Sequence, residues 1–435
     1  MFFSFIYHIL LWILVFASLP KILYQFIVKR KYRSSLGARF GKNFPHIEKK
    51  GKKLIWIHAV SVGETKAIAA LAKLIKTKNP DVILVVSTIT ETGHAEGKRS
   101  LPFADHHVYL PLDFGWVIGP IIKRCSPDLV LLCETDFWYN FLRFSKECGA
   151  TIVLANGKLS DRTCERLKRF PRFSQQMFSL IDLFCVQAKV YQKRFEEIGV
   201  PEKKILITGN LKFDEEYPKL NAEDLALWKE RLGIAEQDQL VVIGSSHDPE
   251  EKILLEVMNT VWQSHPKLKV MIVPRHPERF KEVAGILEGR QIPFVRFSSQ
   301  AAKTGKEKVI LVDAMGLLRQ CYQVADVAIV AGSYTPKVGG HNILEPSWYG
   351  VPVIYGPYMH TQPELVVLTK EYQTGVQVPS SELAGTIQEL LSSTDAREKY
   401  RMAAGELLRN CSGAKERTWA AIKNIQKNSL LCCDK

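Results

Sequence analysis

Beyond Lys53 the chain alternates short apolar runs with amphipathic stretches at helical spacing. That pattern predicts strands alternating with helices, a doubly wound α/β fold. In the first half the runs predict strands at Leu54–Val60, Val82–Thr88, His107–Leu110, Asp128–Cys133, Thr151–Ala155, Leu183–Val186 and Ile205–Thr208. In the second half they predict Leu240–Gly244, Lys269–Val273, Phe294–Phe297, Val309–Val312, Val327–Val330 and Pro352–Tyr355. Between the two sets, Lys212 to Gly233 is first polar and loop-like, then helical, which puts a domain boundary near Tyr217. No short internal repeat is visible. Two Rossmann-like halves of similar size follow, and a cleft between them is the default ligand site.

One stretch organises the second half. Val327–Val330 reads as a buried strand, Ala331-Gly332-Ser333 as a small-residue loop, and Gly339-Gly340 as a point of close backbone approach. His341-Asn342-Ile343-Leu344-Glu345-Pro346 then looks like a helix start. A glycine loop feeding a helix N-terminus offers free N–H groups and the positive end of a dipole, which suits a phosphate. Glu345 in the first turn would reach ribose hydroxyls. An ordinary strand–helix–strand crossover, with glycines for packing, fits the same residues.

The N-terminus reads differently. Met1 to Leu19 carries no formal charge, and as a helix at 1.5 Å per residue it nearly spans a hydrocarbon core. It lacks a basic leader region and a small-residue cleavage site, which favours a retained single-pass anchor over residues 1–20. From Lys21 to Lys53 there are eleven Lys or Arg against Glu48 alone, giving ten of the chain's fourteen net positive charges. Such a collar marks the cytoplasmic side of an inner membrane and binds anionic lipid. No aromatic-basic stacking motif accompanies it, so nucleic acid is not an expected partner.

Length and composition set the frame for both halves. At 435 residues, 46% hydrophobic and 24% charged, the chain is globular and too long for one core. The domains expected after the anchor are 21–217 and 218–435, the second ending in a C-terminal helix. The nine cysteines are scattered and form no metal-type pairs, so they read as reduced thiols, with Cys432-Cys433 on a frayed end.

Candidate chemistry sits at strand ends, where such sheets bind ligands. No Gly-x-Gly-x-x-Gly follows a strand, and no P-loop lysine is present. Glu64, in His58-Ala59-Val60-Ser61-Val62-Gly63-Glu64, is placed to act as a general base, or simply to complement a helix dipole. Glu134-Thr135-Asp136-Phe137-Trp138-Tyr139-Asn140 carries two carboxylates. Thr208-Gly209-Asn210-Leu211-Lys212 brings Lys212 to the cleft. Gly244-Ser245-Ser246-His247 and Val273-Pro274-Arg275-His276 hold the same positions in the second half.

Taken together, His58–Glu64, Glu134–Asn140, Thr208–Asp214, Pro274–Arg279 and Gly339–Pro346 resemble the motif set of the 3-deoxy-D-manno-octulosonic acid (Kdo) transferases, glycosyltransferase family 30. The resemblance covers nearly the whole chain. It departs from the common pattern at Asp136 and Tyr139, where Glu and Pro are usual. Met315-Gly316-Leu317-Leu318 and the string around Gln320-Cys321-Tyr322 are most similar to chlamydial members, several of which add more than two Kdo residues. The resemblance implies a GT-B fold of two facing Rossmann-like domains. It also implies inverting, metal-independent transfer of Kdo from CMP-Kdo to a lipid A precursor, with no cofactor. Glu64 would be the base, and Glu134 and Lys212 would stabilise the transition state. Pro274, Arg275, Met315, Gly316, Leu317, Asn342, Ile343, Leu344 and Glu345 would bind the CMP moiety. The basic run Arg162, Arg166, Lys168, Arg169 and Arg172 would rim the acceptor. A GT-B nucleotide-sugar epimerase, or a membrane-tethered binding protein without catalysis, are the rival readings.

Overall fold

The computed structural model describes residues 2–27, 35–214, 218–299 and 306–431. The chain divides into two compact units, residues 1–216 together with 411–435, and residues 217–410. The boundary expected near Tyr217 falls at 215–217, outside the described residues.

The first unit is built on seven parallel strands: β1 (Leu54–His58), β2 (Ile83–Thr88), β3 (His106–Tyr109), β4 (Leu129–Cys133), β5 (Thr151–Gly157), β6 (Leu183–Val186) and β7 (Ile205–Ile207). Their order is β3-β2-β1-β4-β5-β6-β7. Ile57 lies opposite Val86 on one side and Leu131 on the other. Every residue of β1 and β4 is buried, which is why both read as unbroken apolar runs rather than alternating ones. Alternate residues serve two cores. Leu54 and Trp56 pack with Ile118 and Phe141, whereas Ile55 and Ile57 pack with Ile68 and Leu71.

The second unit repeats the plan with β8 (Leu240–Ser246), β9 (Lys269–Pro274), β10 (Phe294–Arg296), β11 (Val309–Leu311), β12 (Val327–Val330), β13 (Val353–Tyr355) and β14 (Gly375–Gln377). Its order is β10-β11-β9-β8-β12-β13-β14. The edge strand β14 has no sequence signal: three residues, all half-buried, with no apolar run. In each sheet the order reverses beside the first strand of the unit, between β1 and β4 and between β8 and β12. Loops at the carboxyl ends of those strands therefore open a crevice.

Two sequence expectations change here. The C-terminal helix Ala414–Leu431 belongs to the first unit, not the second. Ala414, Ala421 and Ile422 join the core of Ile55 and Ile57. The Asp214 carboxylate accepts the Gly413 and Lys415 amides at 2.6 and 2.5 Å, and Thr418 donates to the Thr208 hydroxyl at 3.0 Å. Amphipathicity shows that a helix has an apolar face but not which sheet it covers. Truncating the fully buried Ile422 to alanine should cost the first domain about 2–5 kcal/mol in urea unfolding, while the second domain's transition stays put.

The single-pass anchor also changes. Among the described residues no helix is long and apolar enough to cross a membrane. Phe2–Ile27 is helical, with Pro20 inside it, but its polar side chains engage the first domain. The Tyr7 hydroxyl donates to Asp113 at 2.7 Å, the Gly115 amide donates to the His8 ring at 3.4 Å, and Trp12 packs on Phe114. Part of the basic collar, 28–34, lies outside the described residues, as do Cys432 and Cys433. In the described part, the Arg39 guanidinium donates to the Ile89 carbonyl and Lys49 pairs with Asp128 at 2.6 Å. Cys125, Cys133, Cys164, Cys185 and Cys321 are free and buried, as core filler should be.

Candidate active site

Glu64 lies in the first turn of the helix Val62–Lys78, immediately past β1. Ser61 caps that helix, accepting the Glu64 amide at 3.4 Å and donating its hydroxyl to Glu64 Oε1 at 2.9 Å. Glu64 Oε2 accepts the Val60 amide at 2.9 Å. This reciprocal Ser-x-x-Glu box is the local reason for the helix start. Burial raises the Glu64 carboxyl above the usual carboxylate range; the two hydrogen bonds oppose this, and the charges of Glu134 and Asp136 add to it. Glu64 therefore caps its helix, as one sequence reading expected, and burial makes its carboxylate more basic than an exposed one.

Glu134 follows β4 directly with φ at +64°, a conformation that costs a residue with a side chain about 1–2 kcal/mol. The turn directs its buried carboxylate to two lysines: Lys158 at 2.7 Å and Lys212 at 3.5 Å. Asn156 supports the group, donating to Glu134 at 3.4 Å and accepting the Leu211 amide at 2.9 Å. Lys212 was legible from the sequence; Lys158 and Asn156 were not. They reach Glu134 because β5, which leads into Lys158, pairs with β4. Asp136 stands 3.8 Å from the buried ring of His58, whose other nitrogen meets the Ser87 hydroxyl at 2.9 Å. Asn140, in the same motif, is buried and structural. Its backbone and side-chain amides donate to Asp113, which also accepts the Phe141 amide. Tyr139 packs on Tyr7.

In the second unit, Pro274 ends β9, and exposed Arg275 follows, its amide donating to the Ser246 carbonyl at 3.1 Å. Met315 is exposed, Gly316 has φ at +84°, and Leu317 precedes the helix Leu318–Gln323. Ile343 and Leu344 are buried, so a ligand there would meet their backbone rather than their side chains. Asn342 Oδ1 accepts the Leu344 amide at 3.1 Å. The charge of Glu345 bears on the fully buried Tyr322 phenol, which burial, acting first, pushes well up.

The helix start expected at His341 is not formed. A single 3-10 turn, Pro346–Tyr349, stands there, stopped by Gly350 at φ +76°. The glycine pair is required by packing and by conformation. Gly339 and Gly340 have φ of +83° and +96°, and a Cβ on them would strike His360 and Met359 respectively. The Gly340 amide donates to the Gly332 carbonyl at 2.8 Å. The crossover alternative thus accounts for the glycines. What organises this loop was not visible in the sequence: the fully buried Glu250 accepts the amides of His247, Gly332 and Tyr334 at 3.1, 2.7 and 2.9 Å.

Among the described residues no cluster of His, Cys, Asp or Glu is arranged to hold a metal ion. The charged groups of the first unit can accept a proton at Glu64 and stabilise developing charge around Glu134. Arg275 in the second can meet an anion.

Comparison with known proteins agrees with the motif resemblance. Residues 34–215 match the family described as 3-deoxy-D-manno-octulosonic-acid transferase, and residues 224–406 match glycosyl transferases group 1. A 3-deoxy-D-manno-octulosonic acid transferase of Chlamydia muridarum is 36% identical over 412 residues, covering 94% of each chain. One from Haemophilus influenzae is 33% identical over 398 residues, 90% of this chain and 92% of its own. Among solved structures, a glycosyltransferase from Rickettsia africae superposes with a TM-score of 0.61 at 17% identity, over 87% of this chain and 99% of that one. A UDP-GlcNAc 2-epimerase from Neisseria meningitidis gives 0.57 at 13%, over 86% and 100%. At such identities these two show the fold alone, two Rossmann-like domains of the GT-B class. Motifs, fold and close sequence relatives together place this chain in the 3-deoxy-D-manno-octulosonic-acid transferase family.

Proposed function

We propose that the protein transfers Kdo from CMP-Kdo to a lipid A precursor by a single inverting displacement without a metal, repeating the addition in succession. Glu64 takes the proton from the acceptor's sugar hydroxyl. Its half-buried carboxyl in the first helical turn past β1, within the field of Glu134 and Asp136, is the observation that carries this reading, and burial raises its pKa in the same sense. Glu134, held between Lys158 and Lys212, stabilises charge as the glycosidic bond to phosphate breaks. Pro274, Arg275, Met315–Leu317 and Asn342–Glu345 bind the CMP moiety, Arg275 facing phosphate or carboxylate and Glu345 the ribose.

The acceptor combines phosphates with acyl chains, and one surface of the first domain has matching chemistry. A cavity of about 1340 Å³ is lined by Ile6, Leu10 and Phe170 together with Arg166, Arg169 and Arg172. Apolar side chains beside guanidinium groups suit an anionic amphiphile, whether the acceptor or neighbouring anionic lipid. Of the expected rim, Lys168 is taken up by Glu165 and Glu197 at 2.9 and 2.5 Å.

Calorimetric titration with CMP tests the donor half. Arg275→Ala should weaken binding by about 1.5–3 kcal/mol through loss of a charge-assisted contact. Glu345→Gln should weaken it through the ribose while the protein stays folded. Unchanged affinity in both variants would move the nucleotide elsewhere.

A further inference from the structure

Two histidines that the proposed mechanism does not use face one another at the switch point of the second sheet. His247 follows β8, and His341 follows the glycine pair. Their Nε2 atoms are 2.8 Å apart, with the rings 16° from parallel. Contact at that distance requires one ring to donate its N–H and the other to accept with its lone pair. The pair can take one further proton, on a free Nδ1 position, and keep the N–H···N bond. A second proton would set N–H against N–H and break it.

The surroundings hold the rings in place. A Cβ on Gly332 would come within 2.6 Å of the His341 ring, so that ring rests directly on the loop backbone. Glu250 beneath ties the His247 amide to the Gly332 and Tyr334 amides through one buried carboxylate. Charges of both signs surround the pair, the Glu250 carboxylate below it and basic groups acting on the rings themselves. Arg275 and His276 approach from the loop after β9, with His276 edge-on to His247 at 5.3 Å. Arg279 comes from the next helix, paired with Glu282, with Glu251 at 2.8 Å and with Asp248 at 3.9 Å. His360 lies against Gly339, on the loop that carries His341. Burial first, then His276, Arg275 and Arg279, pushes His247 down to about 4, and burial first, then His247 itself, Arg275 and His276, pushes His341 down to about 4, so the pair is neutral near neutral pH.

We infer that His247 and His341 are specificity-determining residues of the nucleotide site, a hydrogen-bonded pair that takes up one proton when a nucleotide phosphate binds beside Arg275. The inference rests on the reading of this domain as the CMP-binding one. A bound phosphate reverses the sign of the local field that keeps the pair neutral. The added proton then makes the pair a cation facing the anion, so the site favours phosphate over a neutral group of the same shape. The sign follows from linkage. A group with a higher pKa in the bound than in the free protein strengthens binding as pH falls below its bound-state value. The gain levels off near the free-state value of about 4.

Calorimetry on the full chain with the methyl ester of cytidine 5′-monophosphate tests this, because that phosphate holds one charge throughout and contributes no proton of its own. Titrations at pH 6 in buffers of different ionisation enthalpy should show net uptake of up to one proton per ligand. Affinity should rise by at most about tenfold per pH unit between pH 7.5 and 5.5. In the double variant His247→Gln, His341→Gln, with an unchanged melting profile, the uptake should vanish and the affinity become flat. Binding by the wild type without uptake would overturn the inference and leave the donor reading standing. Uptake that persists in the double variant would overturn it too, assigning the proton to His276 or His360. Absence of binding would overturn the donor reading and the inference together.

Discussion

Glu64→Gln should lower Kdo transfer by about 10²–10⁴-fold, the usual worth of a positioned general base, while CMP still binds. Glutamine keeps the length of the side chain and one hydrogen-bonding oxygen, so the contact to Val60 survives in part and the helix start is retained. The loss in melting stability should be small, within the 0.3–1 kcal/mol or so that a carboxylate at a helix N-terminus contributes. The pH dependence has a definite sign. A base works when ionised, so transfer by the wild type falls as pH drops through the Glu64 pKa, which burial holds above the ordinary carboxylate range. The acidic limb should therefore lie higher than for an exposed glutamate, and the residual activity of Glu64→Gln should lack that limb. Stability lost with transfer intact would return Glu64 to the helix alone and send the search for a base to Glu134 or Asp136.

Replacing Glu134 should separate strain from function. Alanine and glycine both remove the carboxylate that joins Lys158 and Lys212, and both should lower transfer by roughly 10²–10³-fold if the group stabilises the transition state. They differ in the backbone. At φ +64° alanine retains the left-handed strain and glycine relieves it, so Glu134→Gly should melt as the more stable of the two by about 1 kcal/mol. The turn just past β4 aims the Glu134 carboxylate at Lys158 and Lys212, and the two variants separate that aim from its backbone cost. Equal stability of the two variants would remove the strain argument, and unaltered transfer in both would remove the catalytic one.

The sequence disclosed most where burial was two-sided. β1, β4, β8 and β12 are buried along their length and appear as plain apolar runs, with ends misplaced by a residue or two where the strand yields to a loop. It disclosed least where a partner arrives from a distant segment. Lys158 reaches Glu134 only because β4 and β5 pair, and Glu250 holds the Gly332 loop from 82 residues away. The C-terminal helix could cover either sheet as far as its pattern shows, and Asp214 and Thr208 settle the choice. The apolar N-terminus read as a span because charge alone was counted. Tyr7 and His8 carry no formal charge, yet they join the helix to Asp113 and Gly115. At Gly339-Gly340 composition could not distinguish a phosphate loop from a packed turn, and the pressing side chains of Met359 and His360 explain the pair.

The mass of the lipid product tests Kdo transfer most directly. Purified protein incubated with CMP-Kdo and a lipid A precursor should release CMP and yield lipid heavier by whole Kdo increments, and the Glu64→Gln protein should yield almost none. Unchanged lipid mass, with a nucleotide sugar epimerised by the same preparation, would contradict the account.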